Sequence, residues 1–159
     1  MDPKLLTFVE TYPQFIDWTN LFLTYQDRLP VLLIEKHASK ANWFYLIEKN
    51  VSFNLIKLAS DQLDWDMISY GPLSEDFIKE FKNKVNWDQI SFDSVLSEGF
   101  IREFQDKVNW KYISRKQELS EDFIREFQDK VNWREITRYQ RLSEDFTQEF
   151  QDKFYWKEL

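Results

Sequence analysis

Few side chains in this sequence are of a kind that does chemistry. His37 is the single histidine and there is no cysteine, so disulfides, thiolate metal sites and thiol catalysis are excluded. A catalytic or metal-binding histidine needs partners, and no second His or any Cys can supply them. The simpler reading of His37 is a partly buried or rim histidine, in a slot that Phe127 fills in a later copy of a repeated unit. Carboxylates are plentiful, often as neighbours such as Glu121 and Asp122. Glycoside hydrolysis needs two of them facing across a cleft. These stand instead at helix-start positions, where capping and the helix dipole account for acids. The serines before them read as caps, and no Ser/His/Asp arrangement can be assembled. With only Gly71 and Gly99 there is no material for a phosphate-cradling loop. The sequence therefore reads as that of a non-enzyme without a cofactor.

A binding surface is the stronger expectation. After Trp110 come Lys111, Tyr112, Arg115 and Lys116; after Trp133 come Arg134, Arg138, Tyr139 and Arg141. Arg and Tyr are enriched at binding hot spots, so these eight residues are the candidate partner-binding stripe. The competing reading is a solvated face whose cations offset nearby acids. A protein partner with an acidic segment suits the stripe better than nucleic acid, because a formal charge of −7 repels phosphate backbones.

The elements that must carry this stripe are repeats. The seven tryptophans, Trp18, Trp43, Trp65, Trp87, Trp110, Trp133 and Trp156, are spaced by 25, 22, 22, 23, 23 and 23 residues. An aliphatic residue follows each by three, from Leu21 to Leu159, and ten residues before each stands a Phe or Leu, from Phe8 to Phe146. In the sixth unit, Leu119–Trp133, Ser120 suits an N-cap with Glu121 and Asp122 in the first turn. Phe123, Phe127 and Val131 fall on one apolar face at i, i+4 and i+8, with Ile124 beside them. Leu119 before the cap and Ile124 inside form a hydrophobic staple. Glu121 with Arg125, and Glu126 with Lys130, are i, i+4 pairs worth about 0.2–0.5 kcal/mol each. Asn132 then caps a second helix, with Glu135 placed for a capping box, and Trp133 and Ile136 point inward. Isolated helices of about ten residues are marginal in water, so the unit is stable only when stacked on its neighbours. The expected fold is all-α: an α-solenoid of about seven short helix pairs forming a single repeat domain over residues 1–159. Repeat seven has Thr147 where Ile124 stands, a mild polar cap, and repeat one carries Pro13 and no Leu-Ser start.

The repeat Leu-Ser-Glu-Asp-Phe-Ile-Arg-Glu-Phe-Gln-Asp-Lys-Val-Asn-Trp, followed by an aliphatic at Ile136, resembles short tryptophan-bearing repeats encoded by large DNA viruses. The resemblance covers residues 51–159 well, whereas residues 1–50 keep only the apolar frame. That group is uncharacterised, so the resemblance implies an origin more than an activity, and with it a role in binding a host or viral protein. The N-terminal Met1-Asp2-Pro3-Lys4 lacks a signal-peptide pattern, and apolar runs such as Val31–Ile34 are far too short for a bilayer. The expected setting is the cytoplasm or nucleus, not secreted and with no membrane. The ending Lys157-Glu158-Leu159 is only superficially an ER-retention tail. A homo-oligomer formed through the C-terminal end, where Phe154, Tyr155 and Trp156 cluster, is the alternative to a separate protein partner.

Overall fold

A computed structural model describes residues 2–155, and every regular element among them is helical. The chain divides into two compact units, Met1–Ile68 and Ser69–Leu159. The first contains α1 (Pro3–Thr11), α2 (Trp18–Tyr25), α3 (Val31–His37), α4 (Trp43–Glu48) and α5 (Phe53–Ala59), followed by α6 (Trp65–Ser69), whose last residue opens the second unit. The second contains α7 (Glu75–Glu80), α8 (Trp87–Asp93), α9 (Glu98–Glu103), α10 (Trp110–Lys116), α11 (Glu121–Glu126), α12 (Trp133–Tyr139) and α13 (Glu144–Glu149). Odd-numbered elements are the first helices of successive repeats and even-numbered ones the second helices. This is the expected all-α repeat fold. The seventh tryptophan, Trp156, and Leu159 lie outside the described residues.

Each first helix in the second unit starts for the same local reason. The hydroxyl of Ser74, Ser97, Ser120 or Ser143 accepts the backbone N–H of Phe77, Phe100, Phe123 or Phe146, at 3.1–3.3 Å. This satisfies a donor that the helix itself leaves unpaired. The helices are shorter than the apolar period suggests. α11 stops at Glu126; Phe127 is its C-cap, and the N–H groups of Lys130 and Val131 both bond back to the Phe127 carbonyl at 2.9 and 3.0 Å. Phe123, Phe127 and Val131 are nevertheless all buried. The i, i+8 contact runs through a tight turn and not through a continuous helix. In the first unit the same joint is made by 3-10 turns at Pro13–Phe15, Ala38–Lys40 and Ser60–Gln62, while a further 3-10 turn at Gln26–Arg28 leads from α2 to α3.

The tryptophan fixes this joint. Every second helix among the described residues begins at its Trp. In each one the indole N–H donates to the carbonyl five residues earlier, in the turn just left: Trp18 to Pro13, Trp43 to Ala38, Trp65 to Ser60, Trp87 to Lys82, Trp110 to Gln105 and Trp133 to Gln128, at 2.7–3.2 Å. No other apolar ring has a donor to do this. The ring itself reaches forward. Trp110 lies 6.2 Å from Phe123 and 5.0 Å from Phe127 of the next repeat, while those two phenylalanines pair at 4.7 Å. Trp87 with Phe100 and Phe104, and Trp133 with Phe146 and Phe150, repeat the geometry. The inward placement expected for Trp133 holds only in part: Trp87, Trp110 and Trp133 are half-buried, and Lys107 and Lys130 lie over the rings of Trp87 and Trp110.

Neighbouring repeats are also joined by buried and part-buried hydrogen bonds. Four residues after Trp87, Trp110 and Trp133 stand Ser91, Ser114 and Thr137. Each hydroxyl donates to the carbonyl of its own Trp at 2.7 Å. Ser91 and Ser114 also accept the N–H of the next repeat's cap, Asn109 or Asn132, at 2.9 and 2.8 Å, and Ser69 accepts that of Asn86 at 2.9 Å. The capping box expected between Asn132 and Glu135 is therefore only half formed. The Asn132 side chain accepts the Glu135 N–H, but its own N–H goes to the preceding repeat's hydroxyl. Gln117 and Gln140 complete the join, each bracing the loop one repeat behind through a donated and an accepted bond.

Candidate partner-binding face

The two kinds of helix treat their charges differently. On the first helices of the second unit the cations form a ladder from repeat to repeat. Lys79 bonds Glu103 at 2.9 Å, Arg102 bonds Glu126 at 2.8 Å and Arg125 bonds Glu149 at 2.9 Å, each pair linking one repeat to the next. These bonds raise the pKa of Lys79 and Arg125 above their ordinary values. Arg102 and Arg125 also lie over the Phe123 and Phe146 rings, at 4.9 and 4.8 Å. The in-helix pairs expected from spacing are secondary. Glu121 stands 3.8 Å from Arg125, and Lys130 turns away from its own repeat to bond Gln105 and Asp106 of the preceding one. Side-chain reach decides this: successive first helices are close enough for the long cations to cross.

The first-turn glutamates have a more specific task than completing a dipole. Glu75, Glu98 and Glu121 accept the backbone N–H of Ser97, Ser120 and Ser143 at 2.6–2.7 Å. For Glu121 this bond is the main cause of a pKa below the usual carboxylate value. Accepting from a peptide N–H favours the ionised form. These carboxylates are joints between repeats, each engaged with the next cap serine.

The second helices α10 and α12 carry exposed cations. Lys111, Tyr112, Arg115 and Lys116 all lie on α10, Arg134, Arg138 and Tyr139 on α12, and Arg141 in the turn that follows. α10 packs between α8 and α12, so the stretch forms one surface. Tyr112 is half-buried and the other seven residues are exposed. Two of the cations rest on aromatic rings of the neighbouring helix: the Arg115 guanidinium lies 4.9 Å from the Tyr139 ring centre and the Lys116 ammonium 4.0 Å from that of Phe92. Tyr112 meets the same Phe92 edge-on at 5.3 Å. Lys111, Arg138 and Arg141 make no ion pair with another described residue. The one carboxylate on α10 or α12, Glu135, is buried.

Phe92 belongs to this face although its type gives no hint of it. It stands five residues after Trp87, the position held by Arg115 and Arg138 in the next two repeats, and aligning the second helices on their tryptophans would have found it. On α8 the remaining charges are acidic and engaged: Asp88 accepts from the Asn109 side chain and Asp93 from that of Gln89. The basic surface thus begins at α10.

His37 belongs to a different environment. The residue is 4% exposed, and its ring stacks on Trp18 at 3.9 Å with an 18° interplanar angle, which is the role Phe127 plays against Trp110. Its Nδ1 is buried without a hydrogen-bond partner. Burial, and then the charges of Lys40 and Lys36, hold its pKa below the ordinary value. Among the described residues no group of three or more His, Asp or Glu side chains is placed to hold a metal ion, and no helix is long and apolar enough to cross a membrane. At the C-terminal end, Phe154 packs edge-on against Trp133 at 5.7 Å and Tyr155 is exposed; Trp156, the third member of the expected self-association surface, lies outside the described residues. No protein-family model, curated protein or solved structure matches the chain.

Proposed function

We propose that the chain is a non-enzymatic protein-binding module that holds an acidic partner on the face of α10 and α12, in the cytoplasm or nucleus. The supporting observation is the contrast between the two helix faces. The first helices of the second unit pair Lys79, Arg102 and Arg125 with acids of the next repeat, whereas α10, α12 and the turn after α12 expose Lys111, Arg138 and Arg141, which make no ion pair with another described residue, and seat Arg115 on an aromatic ring. Unneutralised, partly ordered arginines beside tyrosines are the composition of interface hot spots. The resemblance to virus-encoded repeats makes a host or viral protein the natural partner. Reversing Arg115, Arg134 and Arg138 to glutamate, followed by affinity capture and mass spectrometry, tests the reading. The partners held by the wild type should be lost; an unchanged set removes α10 and α12 from consideration.

Self-association through the C-terminal end is the second reading, favoured by the exposed Tyr155 beside the Trp133–Phe154 contact. Light scattering over a range of concentrations separates the two, since a mass that stays monomeric eliminates it.

A further inference from the structure

We propose that the exposed ring pair Phe8–Tyr12 of α1 receives the seventh-repeat tryptophan of a second copy of this chain, so that copies join through the contact that links repeats within the chain. This rests on the second reading above, self-association through the C-terminal end, and names the surface that end meets. In the second unit three joints share one geometry. Trp87, Trp110 and Trp133 each lie against two phenylalanines of the following repeat. Those phenylalanines stand ten and six residues before their own repeat's tryptophan. Covered in this way, Phe100, Phe104, Phe123, Phe127, Phe146 and Phe150 are at most 8% exposed. Phe8 and Tyr12 stand at the same two offsets from Trp18, and their rings pair at 5.3 Å, as those of Phe123 and Phe127 do at 4.7 Å. Yet Phe8 is 47% exposed and Tyr12 45%. The aromatic half of the joint is thus built on α1, with both rings open to water and apolar area left to bury.

Trp156 is the tryptophan that suits this pair. It continues the series 23 residues after Trp133 and lies outside the described residues. Trp18, Trp87, Trp110 and Trp133 are already stacked on a ring of the following repeat. The polar groups agree with this choice. Within the second unit each joint also carries an ion pair, from a cation eight residues before one tryptophan to an acid seven residues before the next: Lys79 with Glu103, Arg102 with Glu126 and Arg125 with Glu149. In the seventh repeat the cation's position holds Gln148, and on α1 the acid's position holds Thr11. Both are exposed and uncharged. The Thr11 hydroxyl donates to the Thr7 carbonyl at 2.7 Å, which leaves its lone pairs for the Gln148 amide. A seventh repeat can therefore meet α1 without leaving an unpaired charge in the contact. The two patches are unlike, so the interface is heterologous and uses one surface from each copy.

The test uses the full chain. Light scattering after size exclusion, at rising concentration, should give wild-type masses above that of the monomer. Tyr12→Glu and Trp156→Ala should each raise the concentration needed for association by about tenfold or more, as loss of a buried aromatic anchor does. Tyr12 is exposed in the single chain, so a charge there should leave the fold intact; helical content by circular dichroism checks this. Mixing the two variants separates unlike from like contacts. One variant keeps the tryptophan and the other keeps the ring pair, so together they should form a dimer with one copy of each. Leu32→Glu is the control: Leu32 is 75% exposed on α3, outside the pair, and the substitution should leave association unchanged. Absence of the mixed dimer would overturn the proposal. So would an effect of Leu32→Glu equal to that of Tyr12→Glu, since the association would then be general apolar adhesion. If Trp156→Ala abolishes association while Tyr12→Glu does not, the second reading stands and its acceptor on α1 falls. A wild type that stays monomeric removes both.

Discussion

Ser114→Ala tests how the repeats are joined. The Ser114 hydroxyl is fully buried; it donates to the Trp110 carbonyl and accepts the N–H of Asn132, the N-cap of α12 in the next repeat. Alanine removes the oxygen and little volume, so packing changes contribute little. The Trp110 carbonyl keeps the backbone bond of its own helix, but the Asn132 N–H is left without its acceptor. An unpaired donor costs about 1–3 kcal/mol when fully buried, and this bond is part-buried, which places the cost within that range and not above it. A loss of about 2 kcal/mol is expected, a large share of the stability of a small repeat unit. Urea unfolding followed by tryptophan fluorescence measures it, read as a lower midpoint at constant m-value. Hydrogen exchange supplies the local readout, because the Asn132 amide should lose protection while amides in α7 keep theirs. Ser114→Thr is the control: Thr137 holds the same register in the next repeat and makes the same bond to its tryptophan carbonyl, so threonine should cost less than alanine. If Ser114→Ala is within about 0.5 kcal/mol of wild type, as an ordinary surface substitution would be, the hydroxyl is not a joint and the account of inter-repeat coupling is wrong.

Three further outcomes are expected. Phe123→Ala should cost about 3–5 kcal/mol, because the ring is fully buried between Trp110 and Phe127; a melting temperature near that of wild type would place Phe123 outside the core. Gly99→Ala should stabilise by about 0.5–1 kcal/mol, since a Cβ there meets only the Ser97 hydroxyl at 3.9 Å; a lower denaturation midpoint would contradict the open helical environment. His37 has a folded pKa below its unfolded value of 6.5. Its neutral ring therefore contributes stability that is fully present above 6.5 and declines as pH falls through that value toward the depressed folded one. His37→Phe, which restores the ring used in later repeats, should lose less stability than wild type between pH 7.5 and pH 5, and equal losses would refute the assignment.

The sequence and the structure agree most closely where cause and effect are local. Helix starts were readable because Ser120 and Asn132 cap through bonds to residues three positions on, and the core was readable because Phe123, Ile124 and Ile136 recur at fixed offsets from the tryptophan. Non-local features were not readable in the same way. Spacing pairs Glu126 with Lys130, but the stacking offset of successive first helices puts Arg102 closer to Glu126. Asn132 looks like half of a capping box, but Ser114 of the preceding repeat reaches its N–H first. The reason for a tryptophan in every repeat was also hidden. Its apolar area was evident, whereas the need for an indole donor appears only once the preceding turn is seen to leave a carbonyl facing it. The candidate binding residues were legible as types on two helices, but their shared surface, the contribution of Phe92 and the ring-held postures of Arg115 and Lys116 depend on how α8, α10 and α12 pack.

The central claim is that a partner's carboxylates meet α10 and α12. Zero-length carbodiimide coupling of a captured partner to the full chain, followed by peptide mass spectrometry, tests it most directly, because only a carboxylate in contact with a lysine becomes linked. Cross-links from the partner should fall on Lys111 and Lys116. Cross-links concentrated on Lys79, Lys107 and Lys130, with none on α10, would contradict the account.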